Sequence, residues 1–190
     1  MSYEMEKCTE GEIGSYAVSA IPSKDANMRL KKLMKGLRSK FGGPKFDPHL
    51  TIVGPLSLTR EDALLKFKEA CQGLKAYPAQ AKAVSAGNSF WQTVYVLLEP
   101  TPQVVQISDH FDAHFGNDRS TPYMPHISLL YAHLTEEEKQ EAVEEVKELD
   151  DTINTMSFTI DGLELDKLTL GDETLKSWVK VAEYKLDTLY

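Results

Sequence analysis

Two short motifs, each a proline followed by a histidine, an aliphatic residue and a hydroxyl residue, recur in the two halves of the sequence. The first is P-H-L-T at 48–51 and the second is P-H-I-S at 125–128. The two histidines lie 77 positions apart (126 − 49), and two candidate helix-capping threonines, Thr59 and Thr135, lie 76 apart (135 − 59). Because chance matches rarely keep a common register, the spacing predicts duplication of a whole supersecondary unit.

The residues around the first motif predict the order strand, helix, strand, helix. An apolar run over 15–21 predicts a strand, and apolar residues at helical spacing then predict an amphipathic helix that begins near Ser23 and stops at Gly42. The motif opens the next strand. Thr59 is placed to cap a helix that reaches about Ala76.

The second half repeats this order. A strand over 90–98 is followed by a helix over 102–115, by the second motif and by a capping-box sequence, T-E-E-E at 135–138. Because tight turns join neighbouring antiparallel strands, the Asp-Gly and Gly-Asp pairs in the remaining chain predict an antiparallel sheet. The further strands are expected at 157–160, 163–170 and 175–186, with turns at 161–162 and 171–172.

The composition restricts the class of partner. The chain has 190 residues, a formal net charge of -8 and a pI of about 5.2. A negative field opposes long nucleic acids, whose phosphates are bound by many Lys and Arg side chains. No apolar stretch approaches the roughly 20 residues that span a bilayer. We therefore expect no long nucleic acid and no membrane, and a small anionic ligand held in a local pocket.

Residues 1–13 are predicted to form a flexible N-terminal tail, because they include three glutamates before residue 11 and lack the apolar segment of a signal peptide. Residues 14–190 are predicted to form one compact domain. Two cysteines, Cys8 and Cys71, are too few for a disulfide scaffold and favour a reducing, cytoplasmic environment. No cofactor is predicted, and a monomer is expected.

Each motif places an imidazole beside a hydroxyl. Residues i and i+2 of a strand project to the same face, so His49 lies beside Thr51 and His126 beside Ser128. If a pseudo-two-fold axis relates the halves, the four groups converge on one cavity. Opening a cyclic phosphodiester needs a base for water and an acid for the departing alkoxide, and two histidines suit both roles near neutral pH. The hydroxyls would donate to the non-bridging oxygens, so that no metal ion is required.

The duplicated His-x-Thr/Ser signature resembles that of the two-histidine phosphoesterases. The closer resemblance is to plant-type cyclic phosphodiesterases. It is carried by T-P-Y-M-P-H-I-S-L-L-Y-A-H-L-T-E-E-E-K at 121–139 and by L-K-K-L-M-K-G-L-R-S-K-F-G-G-P-K-F from Leu30, and it extends over about 14–182. This resemblance implies an α+β fold of the bilobal two-histidine phosphoesterase type, in which two pseudo-symmetric antiparallel sheets line a central cleft and the helices lie outside.

The resemblance also implies a reaction. Such enzymes open ADP-ribose 1″,2″-cyclic phosphate, a by-product of tRNA splicing, to ADP-ribose 1″-phosphate, and nucleoside 2′,3′-cyclic phosphates to 2′-phosphates. By motif, His49 and His126 are implied to be catalytic, and Thr51 and Ser128 to bind phosphate. We assign His126 as the base for water and His49 as the acid for the leaving oxygen, although the motifs alone leave this direction open.

Two aromatic residues are further candidates from the resemblance. Tyr131 is implied to contact the substrate, but an ideal strand would point it away from the face of Ser128 unless the strand twists or bulges. Trp91 lies where relatives place an aromatic residue near the cleft. It could stack on a base or pack in the core.

Two departures from the resemblance bear on recognition. Ser19 stands late in the first strand, where relatives have an aromatic residue, so recognition of the base is open. Phe111 and Asn117 stand where relatives carry cysteines, which removes a possible redox clip and leaves the chemistry unchanged.

Alternative interpretations attach to other residues and other classes of protein. His110 and His114 have the i, i+4 spacing of a zinc site, but no third ligand stands out, and an ordinary helix face is the simpler interpretation. His133 is expected at the surface or just outside the site. The rival functions are an RNA-end processing exonuclease that uses the same residues, and a nucleotide-binding module without catalysis.

Overall fold

Seven strands and four helices form the part of the chain that the computed structural model describes, residues 11–188. The strands are β1 (Ile13–Pro22), β2 (Leu50–Thr59), β3 (Tyr77–Ala86), β4 (Val94–Leu98), β5 (His126–Leu130), β6 (Ser157–Leu168) and β7 (Val179–Lys185). The helices are α1 (Lys24–Phe41), α2 (Arg60–Cys71), α3 (Pro102–Phe115) and α4 (Glu136–Leu149). Residues 1–10 of the predicted N-terminal tail lie outside the described residues. None of these helices is long and apolar enough to cross a bilayer.

The strands form one antiparallel sheet in the order β1-β2-β5-β4-β3-β6-β7. β1 also pairs with β6, so six strands close on themselves and β7 is added beside β6. The expectation of two separate sheets therefore needs correction. The two halves are joined into one sheet, because β2 meets β5 at the bridge between Leu50 and Ile127 and β3 meets β6 along Tyr77 to Gln80.

The sheet order confirms the predicted duplication. Exchanging β1 with β4, β2 with β5 and β3 with β6 leaves every strand pair of the closed ring unchanged. The helices follow the same rule, since α1 packs on α4 and α2 packs on α3. A pseudo-two-fold axis therefore passes between β2 and β5, the two strands that begin at the motifs.

The predicted helix starts and stops are confirmed at three positions. Thr59 caps α2 by accepting a hydrogen bond from the backbone N–H of Asp62 at 3.2 Å. Thr135 and Glu138 form the capping box of α4, with reciprocal side-chain to backbone bonds of 3.1 and 3.0 Å. α1 ends before Gly42, whose φ of 79° is readily adopted only by glycine.

The region after α2 differs from the prediction. The helix ends at Cys71 and not at Ala76, because the chain turns at Gly73 with a φ of 75°. β3 was not predicted. Its sequence, Y-P-A-Q-A-K-A-V-S-A, alternates buried and exposed residues over its first half but uses alanines, which have low strand propensity.

Several predicted strands also have different bounds, including the last, which was expected over 175–186 and is Val179–Lys185. The strand expected over 90–98 begins only at Val94, because Phe90–Gln92 form a 3₁₀ turn. The turn expected at Asp161 and Gly162 is instead the middle of β6. Asp161 is an extra residue opposite the end of β1, so the Asp-Gly pair marks a bulge and not a hairpin.

Candidate active site

The two motifs line one cavity of about 410 Å³ at the pseudo-two-fold axis. Alternation along β2 sends Leu50 and Ile52 into the core beneath the helices and leaves the neighbouring polar residues on the cavity side. The structure brings together all six residues predicted for the site. The lining includes His49, Thr51, Trp91, His126, Ser128 and Tyr131.

The register of β2 and β5 sets how the four polar groups of the motifs face one another. The bridge between Leu50 and Ile127 places His49 opposite Ser128 and Thr51 opposite His126 in the antiparallel pair. Each imidazole therefore has one hydroxyl beside it along its own strand and another across the axis. A group bound at the axis can reach hydroxyls from both halves of the chain.

Both imidazoles are oriented by the same backbone contact. The Nδ1 atom of His49 lies 2.8 Å from the carbonyl oxygen of Asp47, and that of His126 lies 2.9 Å from the carbonyl oxygen of Met124. A carbonyl oxygen only accepts hydrogen bonds, so each neutral ring carries its proton on Nδ1. This leaves Nε2 of both rings free to exchange a proton with a bound group.

The two histidines differ in their surroundings. His49 is 8% exposed, and its ring meets that of Trp178 edge-on at 5.0 Å between centroids. Burial lowers the pKa of His49 below its ordinary value, the carbonyl of Asp47 opposes this shift, and a proton on His126 lowers it further. His126 is partly exposed and meets the ring of Tyr95 at 5.3 Å. The environment therefore favours a neutral His49.

Tyr131 reaches the cavity because β5 contains a bulge. Ser128 pairs with Tyr95, and Leu130 pairs with Val94. Between these two pairs β5 has one more residue than β4, and Leu129 is this extra residue. The bulge reverses the alternation and explains why Tyr131 lines the cavity together with Ser128. Its ring stacks on Phe46 at 4.1 Å between centroids, and burial raises its pKa to about 12. The phenol is thus a neutral hydrogen-bond donor.

Trp91 lies at the open side of the cavity, where it is 38% exposed. Its ring meets that of Tyr131 edge-on, with the centroids 5.4 Å apart. Its backbone carbonyl lies 3.4 Å from the hydroxyl of Ser128, which donates to it. The exposed face of the indole is therefore accessible to a planar group held next to Ser128.

The loop over 169–178, between β6 and β7, forms a further wall that sequence reasoning missed. Asp172 stabilises this loop, because its carboxylate accepts bonds of 2.6 Å from the hydroxyls of Ser177 and Thr174, and these bonds hold its pKa well below the usual range. Glu173 lies 2.7 Å from the exposed His133, which ties the loop to the start of α4. Trp178 ends the loop against His49. No local pattern links this segment to the motifs.

Asp166 is a buried carboxyl group behind His49. It is 5% exposed and lines a second cavity, of about 210 Å³, together with His49 and Trp178. Burial raises the pKa of Asp166 to about 7, and the charge of Glu164 raises it too, whereas the indole N–H of Trp178 and the charge of Lys180 lower it. Asp166 therefore titrates near neutral pH.

Replacement of Asp166 by Asn should change how stability depends on pH. The pKa of about 7 in the folded chain lies above the value of about 3.9 for unfolded Asp, so the contribution of Asp166 to wild-type stability falls as pH rises through this interval. The variant minus wild-type free energy of unfolding, measured with urea, should therefore increase by about 2–3 kcal/mol from pH 5 to pH 8. Asp172→Asn is the matched control, because its low pKa predicts a constant difference over that range. A constant difference for Asp166→Asn as well would contradict the prediction.

The i, i+4 pair on α3 makes contacts of an ordinary helix face. The rings of His110 and His114 lie 4.6 Å apart, but Nε2 of His110 lies 2.7 Å from the carbonyl oxygen of Ala70. Within residues 11–188, no group of three His, Cys, Asp or Glu side chains is arranged to hold a metal ion.

Comparison with known proteins agrees with the sequence motifs and the fold. The family profile described as cyclic phosphodiesterase-like protein matches residues 15–187. A protein of Arabidopsis thaliana named cyclic phosphodiesterase is 45% identical over 172 residues, which cover 90% of this chain and 95% of that protein.

Solved structures share the fold at low sequence identity. Escherichia coli LigT in its apo form superposes with a TM-score of 0.61 at 13% identity, and LigT complexed with 3'-AMP with a TM-score of 0.60 at 12% identity. Each match covers 93% of this chain and 99% of LigT. The mixed fold of a closed antiparallel sheet and four helices agrees with that of LigT. The family profile and the Arabidopsis relative show that the chain belongs to the cyclic phosphodiesterase-like family, the plant-type branch of the two-histidine phosphoesterases.

Proposed function

We propose that the chain hydrolyses ADP-ribose 1″,2″-cyclic phosphate to ADP-ribose 1″-phosphate, and nucleoside 2′,3′-cyclic phosphates to nucleoside 2′-phosphates. The observation that carries this proposal is the convergence of both motifs on one cavity, with two free Nε2 atoms and two hydroxyls around the axis. The name of the Arabidopsis relative and the 3'-AMP complex of LigT support a small cyclic nucleotide as the substrate class.

The reaction needs one imidazole on each side of phosphorus. Water attacks phosphorus as one Nε2 takes its proton, the bond from phosphorus to the ribose oxygen breaks, and the other imidazole protonates that oxygen. For a 2′,3′-cyclic substrate the broken bond leads to O3′, and for the ADP-ribose substrate to O2″. Thr51 and Ser128 donate to the non-bridging oxygens, where negative charge accumulates.

The structure favours a direction opposite to our assignment from the motifs. A base must begin neutral, and burial together with a proton on His126 favours the neutral form of His49. We therefore propose His49 as the base that activates water and His126 as the acid that protonates the leaving oxygen. Trp91 would stack on the base of the nucleotide, and Tyr131 would donate to the phosphate.

The cellular setting follows from the same substrate class. ADP-ribose cyclic phosphate is a by-product of tRNA splicing, so we propose a role in the metabolism of that by-product. The net charge of -8 supports small substrates over long RNA. Two cysteines, of which Cys71 is buried, support a reducing, cytoplasmic setting. We propose that the chain acts there as a monomer.

Phosphorus NMR of the products tests the proposed function directly. A panel of cyclic phosphates, each incubated with the protein in EDTA, should give the 1″- or 2′-phosphate, and an RNA ending in a cyclic phosphate should react at least tenfold more slowly. The profile of kcat/KM against pH should be bell-shaped, because activity needs one neutral and one protonated imidazole. Loss of activity in EDTA that a divalent metal restores would contradict the metal-independent mechanism.

A further inference from the structure

Ser19 is a buried hydroxyl residue in the wall of the main cavity. It is 1% exposed, and among residues 11–188 its Oγ atom has no hydrogen-bond partner. Buried polar atoms are nearly always hydrogen-bonded in folded proteins, because leaving one without a partner is destabilising. A hydroxyl retained at such a position is available to a bound ligand.

The strand register places Ser19 next to a motif hydroxyl. Ser19 on β1 pairs with Thr51 on β2, and both residues line the cavity. Paired residues of adjacent strands project to the same face, with Cβ atoms about 4.5–5.5 Å apart. A ligand oxygen that accepts a hydrogen bond from Thr51 therefore has Ser19 within reach of the same oxygen or of its neighbour.

The repeat shows that this position differs between the two halves. Tyr95 pairs with Ser128 just as Ser19 pairs with Thr51, so Ser19 and Tyr95 are counterparts. The ring of Tyr95 contacts His126, whereas Ser19 has no ring to contact His49. The aromatic partner of His49 is Trp178, from the distant 169–178 loop. The half that contains His49 thus offers a polar hydroxyl where the other half has an aromatic ring.

We propose that Ser19 is a substrate-binding residue that donates a hydrogen bond to an oxygen of the substrate beside Thr51. This inference rests on the proposed function, because the oxygen belongs to the phosphate or ribose of a cyclic phosphate nucleotide. The bond supplies the hydrogen-bond partner that Ser19 lacks in the free protein. It also means that this end of the cavity binds a polar group of the ligand in preference to a flat apolar group.

Ser19→Ala tests the proposal, with Ser108→Ala as the matched control. Ser108 is also fully buried, but it donates to the carbonyl oxygen of Ile52 at 3.0 Å and accepts from Arg119 at 2.6 Å. Without ligand, Ser19→Ala should raise the melting temperature by about 2–4 °C, because an unpartnered hydroxyl is removed, and Ser108→Ala should lower it. With adenosine 2′-phosphate as the probe, calorimetry should give a dissociation constant about tenfold higher for Ser19→Ala and unchanged for Ser108→Ala.

A second probe, inorganic phosphate, identifies the accepting oxygen. Weaker binding of both probes by Ser19→Ala supports a phosphate oxygen, and weaker binding of the nucleotide alone supports a ribose oxygen. A less stable Ser19→Ala protein, or one that binds both probes as wild type does, would overturn the proposal. If the wild-type protein bound adenosine 2′-phosphate but hydrolysed no cyclic phosphate, the proposed function would be wrong. The binding of the nucleotide by Ser19→Ala and by the wild type could still be compared.

Discussion

Replacing either His49 or His126 by Ala is expected to lower kcat/KM for a cyclic phosphate by about 10²- to 10⁴-fold, which corresponds to about 3–5 kcal/mol of activation free energy. Each ring is fixed by a backbone carbonyl, so each Nε2 atom serves one proton transfer that the other ring cannot perform. Both transfers belong to one displacement. The double variant should therefore be little slower than the worse of the two single variants.

The control for these variants is His114→Ala, which removes an exposed imidazole from α3 outside the cavity and should leave turnover unchanged. Rates should be followed with a nucleoside 2′,3′-cyclic phosphate, and binding of adenosine 2′-phosphate should be measured in parallel. If His126→Ala kept wild-type turnover, the two-histidine mechanism would be wrong. If the wild-type protein had no turnover and every variant bound the nucleotide equally, a binding module would explain the cavity better than an enzyme.

Gly43→Ala is expected to destabilise the fold by about 2–4 kcal/mol. Gly43 follows α1 with a φ of 94°, a conformation that L side chains rarely adopt. A Cβ atom at this position would lie 2.2 Å from the backbone oxygen of Tyr131, which cannot move without displacing the end of β5. Backbone strain at position 43 and overlap with the Tyr131 oxygen would therefore both destabilise the fold, at a point that supports the wall of the cavity.

The neighbouring glycine separates these two effects. Gly42 also has a positive φ, of 79°, but a Cβ atom there would meet nothing within 4 Å. Urea denaturation should thus show a smaller loss for Gly42→Ala than for Gly43→Ala, and only Gly43→Ala should raise KM for the cyclic phosphate. Equal losses of stability would mean that the contact with Tyr131 contributes nothing.

The sequence predicted those features that depend on local spacing. The common register of the two motifs predicted the duplication. Thr59 and Thr135 predicted two helix starts, because the side chain of a capping residue bonds to a backbone N–H only three residues away. The same i, i+2 rule placed His49 with Thr51 on one face. These predictions needed no knowledge of which strands would become neighbours.

The features that the sequence did not predict depend on contacts between distant segments. Closure of the sheet follows from pairing of β1 with β6, which no local pattern encodes. The bulge at Leu129 is set by the register with β4, and Trp178 and Asp166 reach His49 only after β6 and β7 are in place. The two similar histidine motifs also gave no reason to expect that burial would lower the pKa of His49 and not that of its counterpart.

The arrangement of hydroxyls across the axis constrains how such a chain could have arisen. A fragment ending before β4 would contain one motif imidazole, one neighbouring hydroxyl and three strands with unpaired edges. It could contact only one side of a bound phosphate. Two copies of that fragment would rebuild the ring and both sides of the site as a symmetric homodimer, joined through β2–β5 and β3–β6 and with the third strand of each copy also pairing with the first strand of the other, as in β3–β4 and β1–β6. Fusion of two such copies would allow each half to diverge, and the serine and tyrosine at the equivalent positions 19 and 95 are a difference of that kind.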